Sequence, residues 1–307
     1  MYRDVEPLTK PIIPAFPLDD SLYCLEPEEI AFFKRQTNIQ DEVALKTHII
    51  GVQKEAYKVA PYPCIRGFHF LHPNISKLPN YDHILKRGSE GAILLDIGSC
   101  LGIDVRKAAE DGFPAHNIIA SDIKEAFSEL GCKLFKSSSE PSYFIPGDVF
   151  DPAFLSITQP ASSVPEDAMP DIQTLRSLND LRGRVGVIHA SKLFQLFEEK
   201  KQLELARALG GLLSCEPGSI ICGSVTIASE KGIFRQTVLG VDITYFCHSP
   251  ETWTALWDGV VFAKGQVKVE TSTLSLDCGR HCFLYFILEP SDHLWPPSPA
   301  PSVMIQH

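Results

Sequence analysis

The sequence predicts an α/β fold: a doubly wound, mostly parallel sheet of seven strands, the last antiparallel, with helices on both faces. Three observations carry this. Apolar runs alternate with amphipathic stretches from Gly91 onward. The runs are continuous rather than alternating, as in strands buried on both faces. The final two runs are joined by a link too short for a parallel crossover, so they form an antiparallel pair.

Before that alternation the chain reads differently. Residues 1–24 are proline-rich and read as an arm that packs on another surface. "EPEEIAFFKRQ" sets a proline and three acids at a helix N-terminus, followed by an apolar face. A longer helix is expected over Gln40 to Ala60, with Val43, Ile49, Val52, Ala56 and Val59 near helical spacing. "PYPCIRGFHFLHPNISKLPNYDHIL" is broken by prolines and reads as an ordered connecting loop.

The alternating part begins with the strand "AILLDI" and the helix "GIDVRKAAEDG", ended by Gly112. "HNIIASDI" and "SYFIPGDVF" are the second and third strands, with "KEAFSELGCKLF" as the helix between them. Residues 156–184 are a polar insertion or long crossover. "RVGVIHAS" is the fourth strand, and "KLFQLFEEKKQLELARALGGLL" an amphipathic helix closed by Gly210-Gly211. "SIICGSVTIA" is the fifth strand. Ser249 and Pro250 then suit the N-cap and first position of a helix carrying Trp253 and Trp257, which suit core or a dimer interface. "QVKVETSTL" and "CFLYFILEP" close the sheet, and the proline-rich tail is expected to be mobile.

Composition narrows the function. The 307-residue chain carries a net charge of −10 and no basic cluster. That disfavours nucleic acid, whose phosphates must be neutralised by Lys and Arg, and an anionic membrane surface for the same reason. No apolar run approaches the roughly 20 residues that span a bilayer. The start has charges and prolines where a signal peptide would be apolar, and the nine cysteines lack paired zinc spacing. Reduced thiols in the cytoplasm are therefore expected. His69 and His72 form H-x-x-H, but a third ligand is wanting and no metal is expected.

The informative stretch is "LLDIGSCLG". A dinucleotide fingerprint would need glycines at 98, 100 and 103, and only Gly98 matches. No lysine follows Gly102, so a P-loop fails too. The pattern is instead D-x-G-x-x-x-G: Asp96 at a strand end, then Gly98, Ser99 and Gly102. It suits S-adenosylmethionine, whose ammonium Asp96 can attract, with Gly98 clearing space for the methionyl chain and Gly102 allowing close packing of the helix. Asp122, ending the second strand, suits two ribose hydroxyls, though it equally suits a helix cap. Asp148, after the third strand, suits the adenine amino group or a simple turn. Cys100 is small enough for the loop, which is expected to avoid positive φ there.

Taken together, "LLDIGSCLG", "ASDI", "PGDVF" and "VIHAS" in order resemble the class I S-adenosylmethionine-dependent methyltransferases over about residues 91–289. "YPCIRGFHFL" and "LRGRVGVIHASKLFQLF" add a narrower likeness to fungal secondary-metabolite methyltransferases, including meroterpenoid-pathway ones. The resemblance implies a Rossmann-like core over 91–289, an N-terminal arm and helical lid over 1–90, and a tail over 290–307. It also implies S-adenosylmethionine as cofactor, S-adenosylhomocysteine as product, cofactor contacts at Asp122-Ile123 and Asp148-Val149, a small-molecule substrate and a homodimer. His189, ending the fourth strand, is a candidate catalytic or cofactor-pocket residue. Tyr57, Arg66, His69 and Lys192 are candidate substrate contacts, and the N-terminal helices, the insertion and the loop after the fifth strand are expected to shape the pocket. A carboxylate acceptor is already ionised at neutral pH and needs no base, which favours methyl ester formation; a phenol, nitrogen or carbon acceptor is the alternative. An oxidoreductase is disfavoured by the failed fingerprint, and a non-catalytic scaffold stays open.

Overall fold

A computed structural model describes residues 15–138, 142–275 and 282–290. Five apolar runs form parallel strands: β1 (Leu94–Ile97), β2 (Ile118–Asp122), β3 (Tyr143–Pro146), β4 (Val187–His189) and β5 (Ile220–Ile227). A hairpin of β6 (Gly232–Val238) and β7 (Val241–Cys247) follows, then β8 (Val267–Ser275) and β9 (Cys282–Pro290). The main sheet has seven strands in the order β3-β2-β1-β4-β5-β9-β8, with β9 antiparallel to both neighbours. The strand order reverses between β1 and β4, so their carboxyl ends flank the crevice where such sheets bind ligands.

Both faces of the sheet are buried, which is why its strands read as continuous apolar runs. Leu95, Ile97 and Ile188 pack with Leu205, Leu209 and Trp253 on one side. Leu94 and Val187 face the other way, against Ile84, Val105 and Ala108. The helices on these faces are α4 (Tyr81–Ser89), α5 (Ile103–Glu110), α6 (Ala126–Leu134), α7 (Glu199–Leu212) and α8 (Pro250–Trp257). At α8 the Ser249 hydroxyl accepts from the Thr252 N–H at 3.3 Å and Pro250 takes the first turn, as the sequence predicts. Trp253 and Trp257 are fully buried against Phe194 and Phe286, so they are core and not an interface.

The N-terminal layer consists of α1 (Pro27–Thr37), α2 (Glu42–Val59) and the single turn α3 (Pro63–Arg66). Its Phe33, Ile49, Ala56 and Phe68 share one apolar cluster with Leu101, Ile103, Phe127 and Phe135, which seats it over α5 and α6. The described part of the arm packs on this same chain. The Tyr57 hydroxyl donates to the Phe16 carbonyl and Arg66 Nε to that of Pro17, both at 2.8 Å.

Several expectations are corrected. The proline-rich segment read as a loop contains α3 and α4, because no proline interrupts Tyr81–Ser89. The helix expected from Lys192 starts only at Glu199: Lys192 has φ 54°, and Phe194 turns into the core in a 3-10 turn. Gly210 and Gly211 lie inside α7, where their missing side chains admit Val261 and Thr158. The segment after β5 is a hairpin rather than a loop, turning at Leu239-Gly240 with φ 50° and 81°. Part of the 156–184 insertion lies away from the crevice. Its Met169 and Ile172 line a cleft with Ala92, Ile93 and Gly186, at the amino ends of β1 and β4. The sequence's readings of the far N-terminus, the β8–β9 link and the tail beyond residue 290 lie outside the described residues.

Candidate active site

The turn between β1 and α5 is built by its backbone. The Gly98 and Ser99 N–H groups both donate to the Ser121 carbonyl, at 2.8 and 3.1 Å, tying the turn to the end of β2. Gly98 has φ 75°, and a Cβ there would come within 3.2 Å of Leu193 Cδ1, so glycine answers two demands at once. Gly102 is the left-handed N-cap of α5.

Cys100 does the opposite of what its side chain suggests. It adopts φ 51°, a region that costs a non-glycine residue about 1–2 kcal/mol. Its N–H donates to Asp122 Oδ2 at 3.0 Å, and that charge-assisted bond holds the strained conformation. Its thiol shares a hydrogen bond with Cys64 of α3, which raises Cys100 and lowers Cys64. The turn after β1 is thereby joined to the N-terminal layer.

Asp122 also accepts from the Lys124 N–H at 3.0 Å, so it shapes the chain after β2 as well. Burial pushes its carboxyl above the ordinary value despite these donors. A carboxylate offers about four lone-pair sites, and the Ile123 N–H also bears on this one, so the backbone donors do not exhaust it. Asp148 Oδ1 accepts from the Phe150 N–H at 2.9 Å in a tight turn. Ile123 is half exposed, and the partly buried Val149 rests on the main core.

Asp96 and His189 are register neighbours on β1 and β4, and both are buried. Asp96 Oδ1 and His189 Nδ1 lie 2.7 Å apart, while His189 Nε2 lies 2.7 Å from the Ser191 hydroxyl. Both ring nitrogens are therefore engaged, and any reach of His189 toward a reacting atom runs through Ser191. Asp104, in the first turn of α5, comes to within 4.8 Å of both Asp96 and His189. Its Oδ1 accepts the Asn74 and Ile75 N–H groups at 2.6 and 2.7 Å. Burial disfavours the imidazolium, but Asp96 and Asp104 outweigh it and hold His189 above its ordinary value. Asp96 Oδ2 is buried without a hydrogen-bond partner among the described residues, and so is Ser99 Oγ. Sequence reasoning missed Asp104 and Ser191. An acid in a first turn reads as helix-dipole compensation, and a serine beside a histidine carries no signal of its own.

Tyr57, Arg66 and His69 come together on a cavity of about 500 Å³. Phe16 and Leu22 of the arm, Pro61 and Pro63 around α3, and Leu239 and Ile243 of the hairpin complete most of its wall. Lys192 is near enough to His69 that, after burial, its charge helps press His69 down to about 4. Tyr62, between two of the wall prolines, feels the Asp122 charge, so the cavity and the turn after β1 are neighbours.

The sheet order and the acid-glycine turn at its switch point define the class: a doubly wound α/β protein with a ligand site at the β1/β4 crevice. Comparison with known proteins gives the family. Residues 19–71 match the family described as "Meroterpenoid methyltransferase N-terminal domain". The methyltransferase trt5 of Aspergillus terreus is 30% identical over 228 residues, covering 73% of this chain and 74% of that protein. The asnovolin E/chermesin D methyltransferase nvfJ of Aspergillus novofumigatus is also 30% identical, over 74% of this chain and 71% of its own. The chain belongs to this family of fungal S-adenosylmethionine-dependent methyltransferases. Among solved structures, the magnesium protoporphyrin IX methyltransferase of Synechocystis matches with 9% identity and a TM-score of 0.40, over 87% of this chain and 99% of that one. No helix among the described residues is long and apolar enough to cross a membrane.

Proposed function

We propose that the chain methylates a carboxylic acid on an apolar small-molecule natural product, giving a methyl ester in fungal secondary metabolism. The observation that carries the acid acceptor is the cavity wall. It is largely apolar, it holds Arg66, His69 and His72, and it contains no carboxylate among the described residues. The depressed His69 supports the same reading, since Lys192 and His72 both press on it and an arriving anion would relieve that pressure.

S-adenosylmethionine fits the residues present. The unpartnered, buried Oδ2 of Asp96 suits its ammonium, and the equally unpartnered Ser99 Oγ offers a second polar contact in the same turn. Asp122 would hold the ribose hydroxyls with its remaining lone pairs, and Asp148 the adenine amino group between Ile123 and Val149. When bound, the cofactor supplies an electrophilic methyl group. The chain's own work is then alignment and exclusion of water: Arg66 and Lys192 attract the carboxylate while the arm and hairpin cover it. Tyr57, tied to Phe16, fixes the arm.

A hydroxyl acceptor is the second reading, favoured by the Ser191–His189–Asp96 chain if its histidine is neutral. A cytoplasmic homodimer belongs to the proposal as well. The test is transfer of a labelled methyl group from S-adenosylmethionine to apolar carboxylic acids and their matched alcohols and phenols, read by mass spectrometry. Methyl esters are expected. Ethers formed without esters would replace the acid by the hydroxyl acceptor.

A further inference from the structure

Ser191 is the one member of the Asp96–His189–Ser191 chain that is not buried, and it stands at the switch point between β1 and β4. The backbone around it is fixed. The Ala190 N–H donates to Cys222 at 2.9 Å and the Lys192 N–H to Ser224 at 2.7 Å, so two bonds to β5 bracket Ser191. Gly223, at φ 155°, lets β5 press directly on Ala190, where any Cβ would collide with the Ala190 carbonyl. The hydroxyl is thus held in place, and only the direction of its hydrogen is left to decide.

That direction follows from His189. A neutral ring donating to Asp96 through Nδ1 leaves Nε2 bare, so Ser191 must give its hydrogen inward and offer lone pairs outward. A doubly protonated ring donates through both nitrogens, so the Ser191 oxygen accepts from Nε2 and its hydrogen points outward. The groups facing His189 favour the second state. Asp96 lies on β1 at 2.7 Å, and Asp104 comes from α5. Against these two acids stand Lys192, next in the loop after Ser191, and Cys222 on β5, whose thiol burial raises above its ordinary value. Asp122 on β2 adds negative charge beside Asp96. Burial raises the Asp96 carboxyl, but the imidazole 2.7 Å away opposes that rise, and two buried acids around one imidazole, with a neutral thiol on the other side, are best balanced by an imidazolium.

We infer that Ser191 presents a fixed hydrogen-bond donor to the methyl acceptor, because His189 Nε2–H occupies its oxygen, and that this polarity selects a carboxylate over a hydroxyl. The donor binds the carboxylate oxygen that is not attacking the methyl group. A hydroxyl acceptor, which must itself donate, finds no lone pair aimed at it there. His189 and Asp96 act through Ser191 and are positioning residues in this step. The inference rests on the carboxylic-acid reading for its consequence and on the hydrogen-bond chain for its cause.

The experiment reads the cause first. The intact chain, with ¹⁵N-labelled histidine rings, is observed by NMR at pH 7, and His189 is identified by the signal that Ser191→Ala displaces. Both ring nitrogens are expected to carry protons, and one bare nitrogen overturns the inference whichever acceptor is used. Farnesoic acid and farnesol, which differ only at the acceptor, then serve as probes of binding and methyl transfer. Ser191→Ala is expected to lose about tenfold in affinity or kcat/KM for the acid, with Ser191→Thr restoring it. Equal behaviour of wild type and Ser191→Ala toward the acid overturns the selection. A doubly protonated His189 in an enzyme that methylates only the alcohol overturns the acid reading and the selection, while leaving the hydrogen-bond direction in place.

Discussion

The turn after β1 and the cavity beside it are built by opposite means. The turn is made from consecutive residues, and its shape comes from backbone bonds: two N–H groups on the Ser121 carbonyl and one on the Asp122 carboxylate. The cavity is made from side chains of the arm, α2, α3 and the β6–β7 hairpin, which lie far apart in sequence. A ligand common to a whole family can be held by the first kind of site, because backbone geometry tolerates change around it. A ligand that differs between members calls for the second kind, whose wall can be rebuilt residue by residue. One region should therefore govern the methyl donor and the other the acceptor.

The sharpest way to break this division is Gly98→Val. A β-branched residue at φ 75° facing Leu193 is expected to weaken S-adenosylhomocysteine binding by about 5- to 150-fold, roughly 1–3 kcal/mol, as calorimetry would show. Arg66→Ala should do the reverse. It should raise KM for the acid about tenfold and leave donor affinity within about twofold, measured by steady-state kinetics beside calorimetry. If Arg66→Ala moves both equally, the two regions are one site. Cys100→Gly has a smaller effect. It relieves the left-handed strain and should stabilise the fold by about 1 kcal/mol, seen as a raised denaturation midpoint with donor affinity retained.

A further effect is fully present at neutral pH and is lost in acid. Burial alone would raise Glu29, but its bonds to His72 and the Glu26 N–H, with Lys77 nearby, hold it at about 2 instead of 4.5. A depressed carboxyl stabilises the fold fully above its unfolded value and loses that contribution as the proton binds. Thermal stability should therefore fall between pH 4.5 and about 2, and Glu29→Gln should flatten that fall. An unchanged profile in the variant would remove Glu29 from the account of how the N-terminal layer is anchored.

What was legible in the sequence follows the same division. Asp96, Gly98, Asp122 and Asp148 could be placed because each stands at a strand end, and strand ends are local features. The parallel strands and the antiparallel last strand were legible from buried runs and one short link, while the strand order was not. Cys100 was misjudged because a side-chain preference says nothing of the carboxylate that rewards its N–H. The 156–184 segment was expected to help shape the pocket, yet its Met169 and Ile172 line a cleft at the opposite end of the sheet. Asp104 and Ser191 gain meaning only from His189, which the fold brings to them across β1 and α5. Tyr57, Arg66 and His69 were named singly, and the cavity that unites them needs a hairpin that no periodicity announced.

The most direct test of the account is a calorimetric titration of S-adenosylhomocysteine into the intact chain and into Asp122→Ala. Saturable binding to the wild type is expected, weakened about tenfold or more in the variant, because Asp122 shapes the turn and would hold the ribose hydroxyls. No binding to the folded wild type, or equal affinity in both proteins, would contradict it.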